Sequence, residues 1–408
     1  MEKKRVMVVG GGAAGMVAAI RAAEKGAAVT VLERFQKPGK KLLATGNGRC
    51  NLCNSGAPVY FGQSAFALRV LEQMPAARVM GVFERWGLAL VQEDGGRVYP
   101  ACGQASAVLD VLRARMEENG VQVVVNAPVH SLYKERGALI ARTEDMADYQ
   151  ADACILATGG LAGGNLGCER GDYSLAAEHG HALTPLSPAL APLITEKSAV
   201  RGLAGLRAPV IVTLMDGRDA VSAAQGEMLF ADYGVSGICV MQLARDAYDL
   251  TQAGSGAWLR VDFSPMMGLC PREYGRLALG DLKDHAPLAR ELLRKRAGML
   301  KSADLLLGLL PAVLRRRLEG AAIEELPTLL TAFPIAIQKV RSFENAQITR
   351  GGIDTDGVNP MTMESKYLEG LYLSGEMLNV DGDCGGYNLL FAFATGLIAG
   401  ENAAGNKA

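Results

Sequence analysis

A glycine-rich turn between short apolar segments constrains the fold of this chain more than any other feature. Arg5–Val9 is a β-branched run typical of a strand buried on both faces. It ends at Gly10–Gly15, whose glycines fit the pattern G-x-G-x-x-G. The alanine-rich stretch Met16–Glu24 predicts a helix, and a second strand, Ala28–Leu32, ends in Glu33. The order of strand, glycine turn, helix, strand and acid predicts a dinucleotide-binding unit.

Each residue type in this unit has a physical reason. Gly10 permits the tight turn, Gly12 lets the backbone approach a pyrophosphate, and Gly15 allows close packing of helix against strand. The helix N-terminus favours the anion, and Glu33 lies where a ribose hydroxyl is bound. A glycine turn in an unrelated α/β protein is the alternative, which the combined context disfavours. The contacts predicted here are Gly10, Gly12, Ala13, Ala14, Gly15, Glu33 and Arg34.

Composition narrows the class of protein. Glycine contributes 49 of 408 residues, but no G-X-Y period occurs and charged residues are an ordinary 21%. The chain is therefore neither collagen-like nor of low complexity, and we expect the glycines to allow particular backbone conformations. Lys and Arg number 42 against 43 Asp and Glu, which argues against a basic nucleic-acid surface. The basic runs Arg294–Arg296 and Arg315–Arg317 are interpreted as solvated helix faces. No apolar run reaches the ~18 residues of a membrane span, and the charged start has no signal-peptide pattern. We therefore expect a cytoplasmic protein without membrane or nucleic-acid partners.

NAD and FAD share the first glycine turn, so later segments must decide between them. Lys40–Asn51 is a polar, glycine-containing segment in which Arg49 supplies a fixed positive charge; an ordinary polar loop is the equal alternative. Ala151–Gly160 and Gly370–Glu376 each predict a strand that ends in a glycine turn. Gly385-Gly386 precedes a predicted helix, Leu390–Ala399, and so directs free N–H groups at the flavin N1–C2=O edge. Glu376 is expected to accept hydrogen bonds from ribityl hydroxyls.

Several segments together resemble the BaiN-like FAD-binding family, also labelled aminoacetone-oxidase-like, whose distant relatives are fumarate reductases and ketosteroid dehydrogenases. The resemblance covers nearly the whole chain. The segments that carry it are Gly10–Gly15, Lys41–Asn51, Arg97–Pro100, Ala157–Gly160, Gly351–Ile353, Gly375-Glu376 and Gly385–Asn388.

The resemblance implies non-covalently bound FAD in an α/β, Rossmann-like domain interrupted by a β-rich and a helical subdomain. We place the FAD-binding domain at 1–190 and 341–408, the β-rich part at 191–263 and the helical part at 264–340. Further predicted FAD contacts are Lys41, Leu42, Thr45, Gly46, Asn47, Gly48, Arg49, Cys50, Asn51, Val129, Ala157, Thr158, Gly159, Gly160, Gly375, Glu376, Gly385, Gly386, Tyr387, Asn388 and Leu389.

Local patterns in the insertion agree with that layout. Predicted strands are Gly202–Leu206, Ala208–Leu214, Gln225–Phe230 and Ala257–Phe263, and residues 271 to about 330 have helical spacing of leucines. One segment departs from the family. Where relatives usually have Thr-His and Pro, this chain has Ala231-Asp232 and Ile238. If that His acts on substrate in relatives, Asp232 or Tyr233 replaces it here or the substrate differs.

The family implies hydride transfer between flavin N5 and a C=C bond conjugated to a ketone, as in a steroid or bile acid, with NADH or NADPH as a possible transient reductant. No second dinucleotide-binding unit is found in the sequence. The catalytic candidates are Arg49 and Tyr387, with cofactor binding an equal role for each; Tyr99 and Tyr233 are weaker proton-donor candidates. An oxygen-using amine oxidase is the alternative, and a flavoprotein that binds or modifies RNA or a protein is a second.

The cysteine and histidine pairs allow other interpretations, as redox, metal-binding or structural residues. The eight cysteines do not form a disulfide framework. Cys50 and Cys53 have C-x-x-C spacing, for which a redox role is a minor alternative and a zinc site a lesser one. His179 and His181 are expected to cap a helix end rather than to bind a metal, and no metal is predicted. The substrate and the oligomeric state stay open.

Overall fold

The computed structural model describes residues 3–166, 169–301 and 304–405. Contacts divide the chain into two compact units: the residues up to 187 together with those from 347 onward, and residues 188–346. Each unit has its own sheets. The sequence-based boundaries at 190, 263 and 340 stay proposals.

The first part of the chain, to residue 186, alternates strands and helices. Its strands are β1 (Arg5–Val9), β2 (Ala28–Leu32), β3 (Cys53–Asn54), β4 (Tyr60–Gly62), β5 (Leu90–Gln92), β6 (Arg97–Pro100), β7 (Gln122–Val124), β8 (Val129–Glu135), β9 (Ala138–Thr143), β10 (Asp148–Ala151) and β11 (Ala153–Leu156). Its helices are α1 (Ala13–Glu24), α2 (Lys40–Ala44), α3 (Ser64–Gln73), α4 (Ala76–Arg85), α5 (Ala105–Glu118) and α6 (Ser174–Ala177).

The remainder contains the insertion and the return to the first unit. Residues 187–346 form β12 (Ser187–Ala189), β13 (Leu193–Thr195), β14 (Arg207–Asp216), β15 (Asp219–Ala231), β16 (Gly234–Ser236), β17 (Ala257–Asp262), β18 (Gly275–Leu277) and β19 (Phe333–Val340). Their helices are α7 (Lys197–Val200), α8 (Ile238–Gln242), α9 (Ala244–Gln252), α10 (Ser264–Met267), α11 (Ala286–Ala297), α12 (Ala312–Arg317) and α13 (Leu326–Thr331). The chain ends with β20 (Ile348–Arg350), β21 (Leu371–Leu373), β22 (Val380–Gly382) and α14 (Tyr387–Ala404).

A five-stranded parallel sheet, in the order β21-β11-β1-β2-β7, is the centre of the first unit. Residues 6 to 9 of β1 are buried, as expected for a parallel strand that is covered on both faces. The helices α1 and α14 pack against each other beside this sheet and are buried along most of their length. The predicted α/β, Rossmann-like fold is therefore confirmed, with Gly10–Gly15 at the carboxyl end of β1.

The insertion has a different architecture. Seven antiparallel strands run in the order β14-β17-β19-β13-β16-β15-β18, and an additional β14–β15 pairing closes six of them into a ring. Strand β19 lies within the segment predicted to be helical, yet it pairs with β17 of the β-rich segment. The sheet thus spans residue 263.

Four local predictions differ from the structure. Gly202–Leu206 forms turns rather than a strand, because Gly202 and Gly205 adopt positive φ angles of 77° and 85°. Gly275–Leu277, predicted to be helical, pairs with β15. The helix predicted from Met16 begins at Ala13, directly after its N-cap Gly12 and inside the glycine segment. The helix predicted from Leu390 begins at Tyr387, directly after its N-cap Gly386.

Candidate functional site

The first glycine turn joins β1 to the N-terminus of α1. Gly10 N–H donates to Leu32 O at 2.8 Å, which fixes the turn to β2. A Cβ atom on Gly15 would lie 1.9 Å from Gly10 O, so only glycine allows the helix to start this close to the turn. Gly12 is different: a Cβ there would meet no atom of the described residues within 4 Å. The space beside Gly12 is free for a ligand.

The N-terminus of α1 has no side-chain cap. Gly12 is its N-cap, no side chain caps the helix, and no acidic residue occurs in its first turn. Helix N-termini present unpaired N–H groups and a partial positive charge. The arrangement suits a pyrophosphate, and the contacts of Gly12, Ala13 and Ala14 with it stay a prediction.

Glu33 lies at the end of β2, beside the same turn. Its carboxylate accepts hydrogen bonds from Gly11 N–H at 2.7 Å and from Phe35 N–H at 2.8 Å. Burial raises its pKa, while the two N–H donors oppose that shift. Glu33 therefore braces the turn, and its expected bond to a ribose hydroxyl stays a prediction.

Arg34 and Val129, also predicted contacts, have other neighbours. The Arg34 guanidinium pairs with Asp172 at 2.8 Å and with Glu169 at 3.0 Å. Val129 is buried and pairs with Thr143 in the β8–β9 sheet. Their roles toward a cofactor stay predictions.

The second glycine segment forms α2 followed by a tight turn. Gly46, Asn47, Gly48 and Cys50 all have positive φ angles, and Thr45 Oγ1 donates to Leu42 O at 2.6 Å. Asn51 Oδ1 is buried, and no hydrogen-bond partner is found for it within the described parts of the chain. An unpaired buried acceptor is costly unless a ligand supplies the missing donor.

The glycine turns after β11 and β21 lie side by side because these strands are parallel neighbours. A Cβ on Gly10 would come within 2.4 Å of Ala157 O, so the turns of β1 and β11 are in contact. Thr158 and Gly159 continue the β11 turn; Thr158 Oγ1 approaches Met377 Sδ at 4.0 Å. A Cβ on Gly160 would lie 2.6 Å from Glu376 Oε1, so this glycine makes room for the carboxylate.

Glu376 already has protein partners. Lys41 Nζ pairs with Glu376 Oε2 at 2.7 Å, and Thr349 N–H donates to Oε1 at 3.0 Å. The structure thus joins two predicted contact residues, Lys41 and Glu376, in an ion pair. The expected bonds from ribityl hydroxyls to Glu376 stay a prediction.

The N-terminus of α14, like that of α1, has no side-chain cap. Gly386 is its N-cap with φ 104°, and no side chain caps the helix. A Cβ on Gly386 would lie 2.5 Å from Cys53 O and 2.8 Å from Asn51 Oδ1, so the orphaned acceptor lies beside this helix start. The Asn388 side chain instead bonds to Gly382 N–H and O, both at 2.8 Å, and holds the preceding loop. Leu389 packs against the core.

The two catalytic candidates have different surroundings. Arg49 is 43% exposed, pairs with Glu93 at 2.6 Å and lies 4.1 Å over the ring of Tyr99. The Tyr387 ring packs edge-on against Tyr60, 5.9 Å between centroids. Burial is the main cause that raises the pKa of both Tyr99 and Tyr387, and the charge of Arg97 partly offsets it. Both phenols therefore hold their protons at neutral pH.

Several site residues were missed by sequence reasoning. Glu93 orients Arg49, Thr349 holds Glu376, and Asn54 bonds to the glycine turn before α14. The sequence carries no local motif for them, because each acts on a residue far away in the chain.

Cys50 and Cys53 are free, buried thiols. Burial raises the pKa of each to about 12, with Thr45 opposing the shift at Cys50 and the neighbouring Cys50 adding to it at Cys53. A thiol with this pKa is a poor nucleophile and metal ligand at neutral pH. Cys168 lies outside the described residues. Across the described ranges, no cluster of three or more His, Cys, Asp or Glu side chains is placed to hold a metal.

The backbone N–H groups of His179 and His181 both donate to Ala176 O, at 3.0 and 3.4 Å, and so cap the end of α6, whereas their side chains bond to other segments. The helix α6 ends at Ala177, His179 Nε2 bonds to Leu132 O at 2.9 Å, and buried His181 Nε2 bonds to Ser365 Oγ at 2.8 Å. Burial lowers the pKa of His181, and His179 adds to the effect. Both side chains reach other segments and so join them to the region after α6.

In the insertion, Asp232 and Tyr233 form the turn between β15 and β16. Asp232 is exposed, and the Tyr233 ring lies 4.4 Å from the Arg341 guanidinium. That Asp232 or Tyr233 replaces the His expected in relatives stays a prediction. Among the helices of residues 3–166, 169–301 and 304–405, none has the length and apolar character needed to cross a bilayer.

The residues of the first unit fit FAD on structural grounds. Among the described residues, no atom fills the space where a Gly12 side chain would lie, and no side chain caps the first turn of α1. Asn51 Oδ1 is an acceptor without a hydrogen-bond partner in the described residues, and it lies beside the start of α14. These features match a pyrophosphate at one end and a hydrogen-bonding ring edge at the other.

Comparisons with known proteins agree with this assignment. The family model described as HI0933-like protein Rossmann domain matches residues 4–402. The 3-dehydro-bile acid delta(4,6)-reductase of Clostridium scindens is 37% identical over 412 residues, 98% of this chain and 99% of that protein. The ribosomal RNA dihydrouridine synthase of Escherichia coli is 26% identical over 410 residues, 97% of this chain and 96% of that protein.

A solved structure shows the same fold. The 3-ketosteroid delta1-dehydrogenase from Sterolibacterium denitrificans aligns with a TM-score of 0.56 at 15% identity, over 98% of this chain and 99% of that one.

Proposed function

The chain belongs to the HI0933-like family and is an FAD-dependent oxidoreductase, and we propose that it reduces a C=C bond conjugated to a ketone in a steroid-like or bile-acid-like substrate. NADH or NADPH is the proposed reductant. The observation that carries the proposal is the 37% identity to a bile-acid delta(4,6)-reductase, which extends over 98% of this chain. The resemblance to BaiN-like flavoproteins that the sequence motifs indicated is confirmed.

The first unit supplies the groups that would hold FAD. The N-terminus of α1 would bind the pyrophosphate, and Glu33 the ribose. Asn51 Oδ1 and the N–H groups at the start of α14 would bind the pyrimidine edge of the flavin, and the helix start would stabilise negative charge there. When bound, FAD supplies hydride exchange with a substrate carbon.

Arg49 and Tyr387 are the proposed groups beside the substrate. Because Glu93 hydrogen-bonds its guanidinium, Arg49 is held in one orientation with a permanent charge suited to polarising a ketone oxygen. Tyr387 keeps its proton at neutral pH and so qualifies as the donor to the α-carbon, with Tyr99 as the weaker candidate. The reduction then consumes one hydride, delivered to the β-carbon, and one proton.

The test uses the purified holoprotein without oxygen. FAD is reduced by NADH, by NADPH or by light, and then mixed with 3-oxo-4-ene and 3-oxo-4,6-diene steroids, with simple amines, or with oxygen. We expect a 3-oxo steroid to reoxidise the flavin fastest and to gain two hydrogens by mass spectrometry. Rapid peroxide formation with slow steroid turnover, or amine-dependent bleaching of oxidised FAD, would point to an oxidase instead.

Reduction of uridine in ribosomal RNA is a second candidate, favoured by the 26% identity to a dihydrouridine synthase over 97% of this chain. The uracil C=C bond is also conjugated to a carbonyl, so the same hydride and proton transfers apply. The overall net charge of −1 does not favour RNA binding. Incubation of the reduced protein with unmodified ribosomal RNA, followed by nucleoside mass spectrometry, decides: dihydrouridine formation with inert steroids would replace the first proposal.

A further inference from the structure

Asn54 is a buried amide that links three separate segments of the first unit. Its side chain is 4% exposed at the end of β3. Nδ2 donates to Gly385 O at 2.8 Å and to Gly95 O at 3.2 Å, and Oδ1 accepts from Gly56 N–H at 2.8 Å. Both N–H donors and the acceptor oxygen are thus used, and the orientation of the amide is determined.

The bond to Gly385 O determines the orientation of the next peptide group. In a planar trans peptide the C=O and the following N–H point in opposite directions. Since Asn54 holds the Gly385 carbonyl toward β3, the Gly386 N–H is directed away from Asn54. The backbone here has φ values of 134° and 104° at Gly385 and Gly386, so without a side-chain clamp this flexible pair has alternative orientations.

The Gly386 peptide lies beside an uncapped helix start and an unpaired acceptor. Gly386 is the N-cap of α14, whose first N–H groups have no side-chain cap. The orphaned Asn51 Oδ1 lies 2.8 Å from the position of a Cβ on Gly386. A donor group beside an acceptor matches the imide-like edge of the isoalloxazine ring, in which an N–H lies between two carbonyls.

We propose that Asn54 is a positioning residue that sets the reduction potential of bound FAD by fixing the direction of the Gly385–Gly386 peptide. On reduction, negative charge accumulates at the pyrimidine edge, so a fixed N–H donor there binds reduced flavin better than oxidised flavin. The Asn54 amide atoms already have backbone partners, so Asn54 would act through Gly385. The inference rests on FAD binding, and not on the identity of the substrate.

The experiment measures the two-electron midpoint potential of the holoprotein by dye-linked reduction without any substrate. In Asn54→Ser, which shortens the side chain, we expect the preference for reduced over oxidised flavin to fall about tenfold, which is about 30 mV for a two-electron couple. In Asn54→Asp the ionised carboxylate cannot donate, so the potential falls further at high pH. The difference between the potentials of Asn54→Asp and the unmodified protein should decrease on acidification, because a protonated carboxyl group can donate to Gly385 O.

Asn119→Asp is the matched control, since Asn119 is an amide that bonds to a helix carbonyl, Arg115 O, at 2.8 Å. Its potential should equal that of the unmodified protein. An unchanged potential in Asn54→Ser with FAD retained overturns the proposal. Loss of FAD together with a lower thermal midpoint of the apoprotein in both Asn54 variants also overturns it, because Asn54 would then be a structural residue. Failure of steroid reduction leaves these measurements unaffected.

Discussion

Gly12 differs from the other glycines of the first turn, because neither its backbone conformation nor protein packing requires glycine. Its φ of −80° and ψ of −166° are accessible to alanine, and within the part of the chain that the structure describes an added Cβ would meet no atom within 4 Å. Gly15, by contrast, has Gly10 O 1.9 Å from the position of a Cβ. The two positions therefore separate ligand binding from folding.

We predict that Gly12→Ala leaves the thermal midpoint of the apoprotein unchanged and weakens FAD binding by roughly tenfold or more, about 1.4 kcal/mol. The added methyl group occupies space that the pyrophosphate needs. Fluorescence titration of apoprotein with FAD measures the affinity. Gly256→Ala is the control, since Gly256 also faces open space but lies in the insertion. Normal FAD affinity in Gly12→Ala would show that the ligand does not approach this turn.

The buried thiols of Cys50 and Cys53 lead to a prediction about the number of electrons that the holoprotein takes up on reduction. With a pKa of about 12 they stay protonated, and we expect them to take no part in flavin reduction. Anaerobic dithionite titration should consume two electrons per FAD, because only the flavin is reduced. The double variant Cys50→Ala and Cys53→Ala should give the same stoichiometry. Four electrons per FAD, falling to two in the double variant, would establish a redox-active pair.

At the scale of elements, the contact between α1 and α14 connects the two helix starts of the site. A Cβ on Gly396 would lie 2.4 Å from Ala14 O, and one on Gly400 would lie 2.3 Å from Ala18 O. Two glycines spaced four residues apart let the helix backbones touch. The separation of the two helices, and with it the placement of their N-termini, depends on these glycines.

We predict that Gly400→Val destabilises the protein by about 1–3 kcal/mol through overpacking and also weakens FAD binding, since α1 must move away from α14. Urea denaturation of the apoprotein and FAD titration measure the two effects. Ala297→Val, at the exposed end of α11, is a control for adding a branched side chain to a helix. Loss of stability without any loss of FAD affinity would show that the helix starts do not depend on this contact.

Elements with strong local patterns were predictable from the sequence, and contacts between distant segments were not. The bounds of β1 and β2 match because apolar runs and glycine stops are local signals. Gly202–Leu206 looked like a strand by composition, yet positive φ angles at its glycines make turns. Lys41 bonds to Glu376 and Asn54 to Gly385 across 335 and 331 residues of chain, separations that residue patterns cannot connect.

For the whole molecule, the division into two units makes a prediction about where FAD binding resides. Every sequence-predicted FAD contact lies in the unit formed by residues up to 187 and from 347 onward. The chain leaves and returns to this unit at adjacent points, because Thr184 N–H donates to Gly352 O at 2.9 Å and Gly352 N–H to Thr184 Oγ1 at 3.0 Å. The insertion, residues 188–346, has its own closed sheet and core.

We therefore predict that a chimera with residues 188–346 replaced by a short Gly-Ser linker folds and binds FAD with an affinity within about tenfold of the full chain, since domains with their own core fold independently. Flavin absorbance of the purified chimera gives the stoichiometry, and titration gives the affinity. The same chimera with Gly12→Ala should bind FAD roughly tenfold or more weakly, which would assign the flavin signal to the site at α1. A folded chimera that binds no FAD would place essential cofactor contacts in the insertion. Asp232 and Tyr233 would then be candidates for cofactor binding as well as for substrate binding.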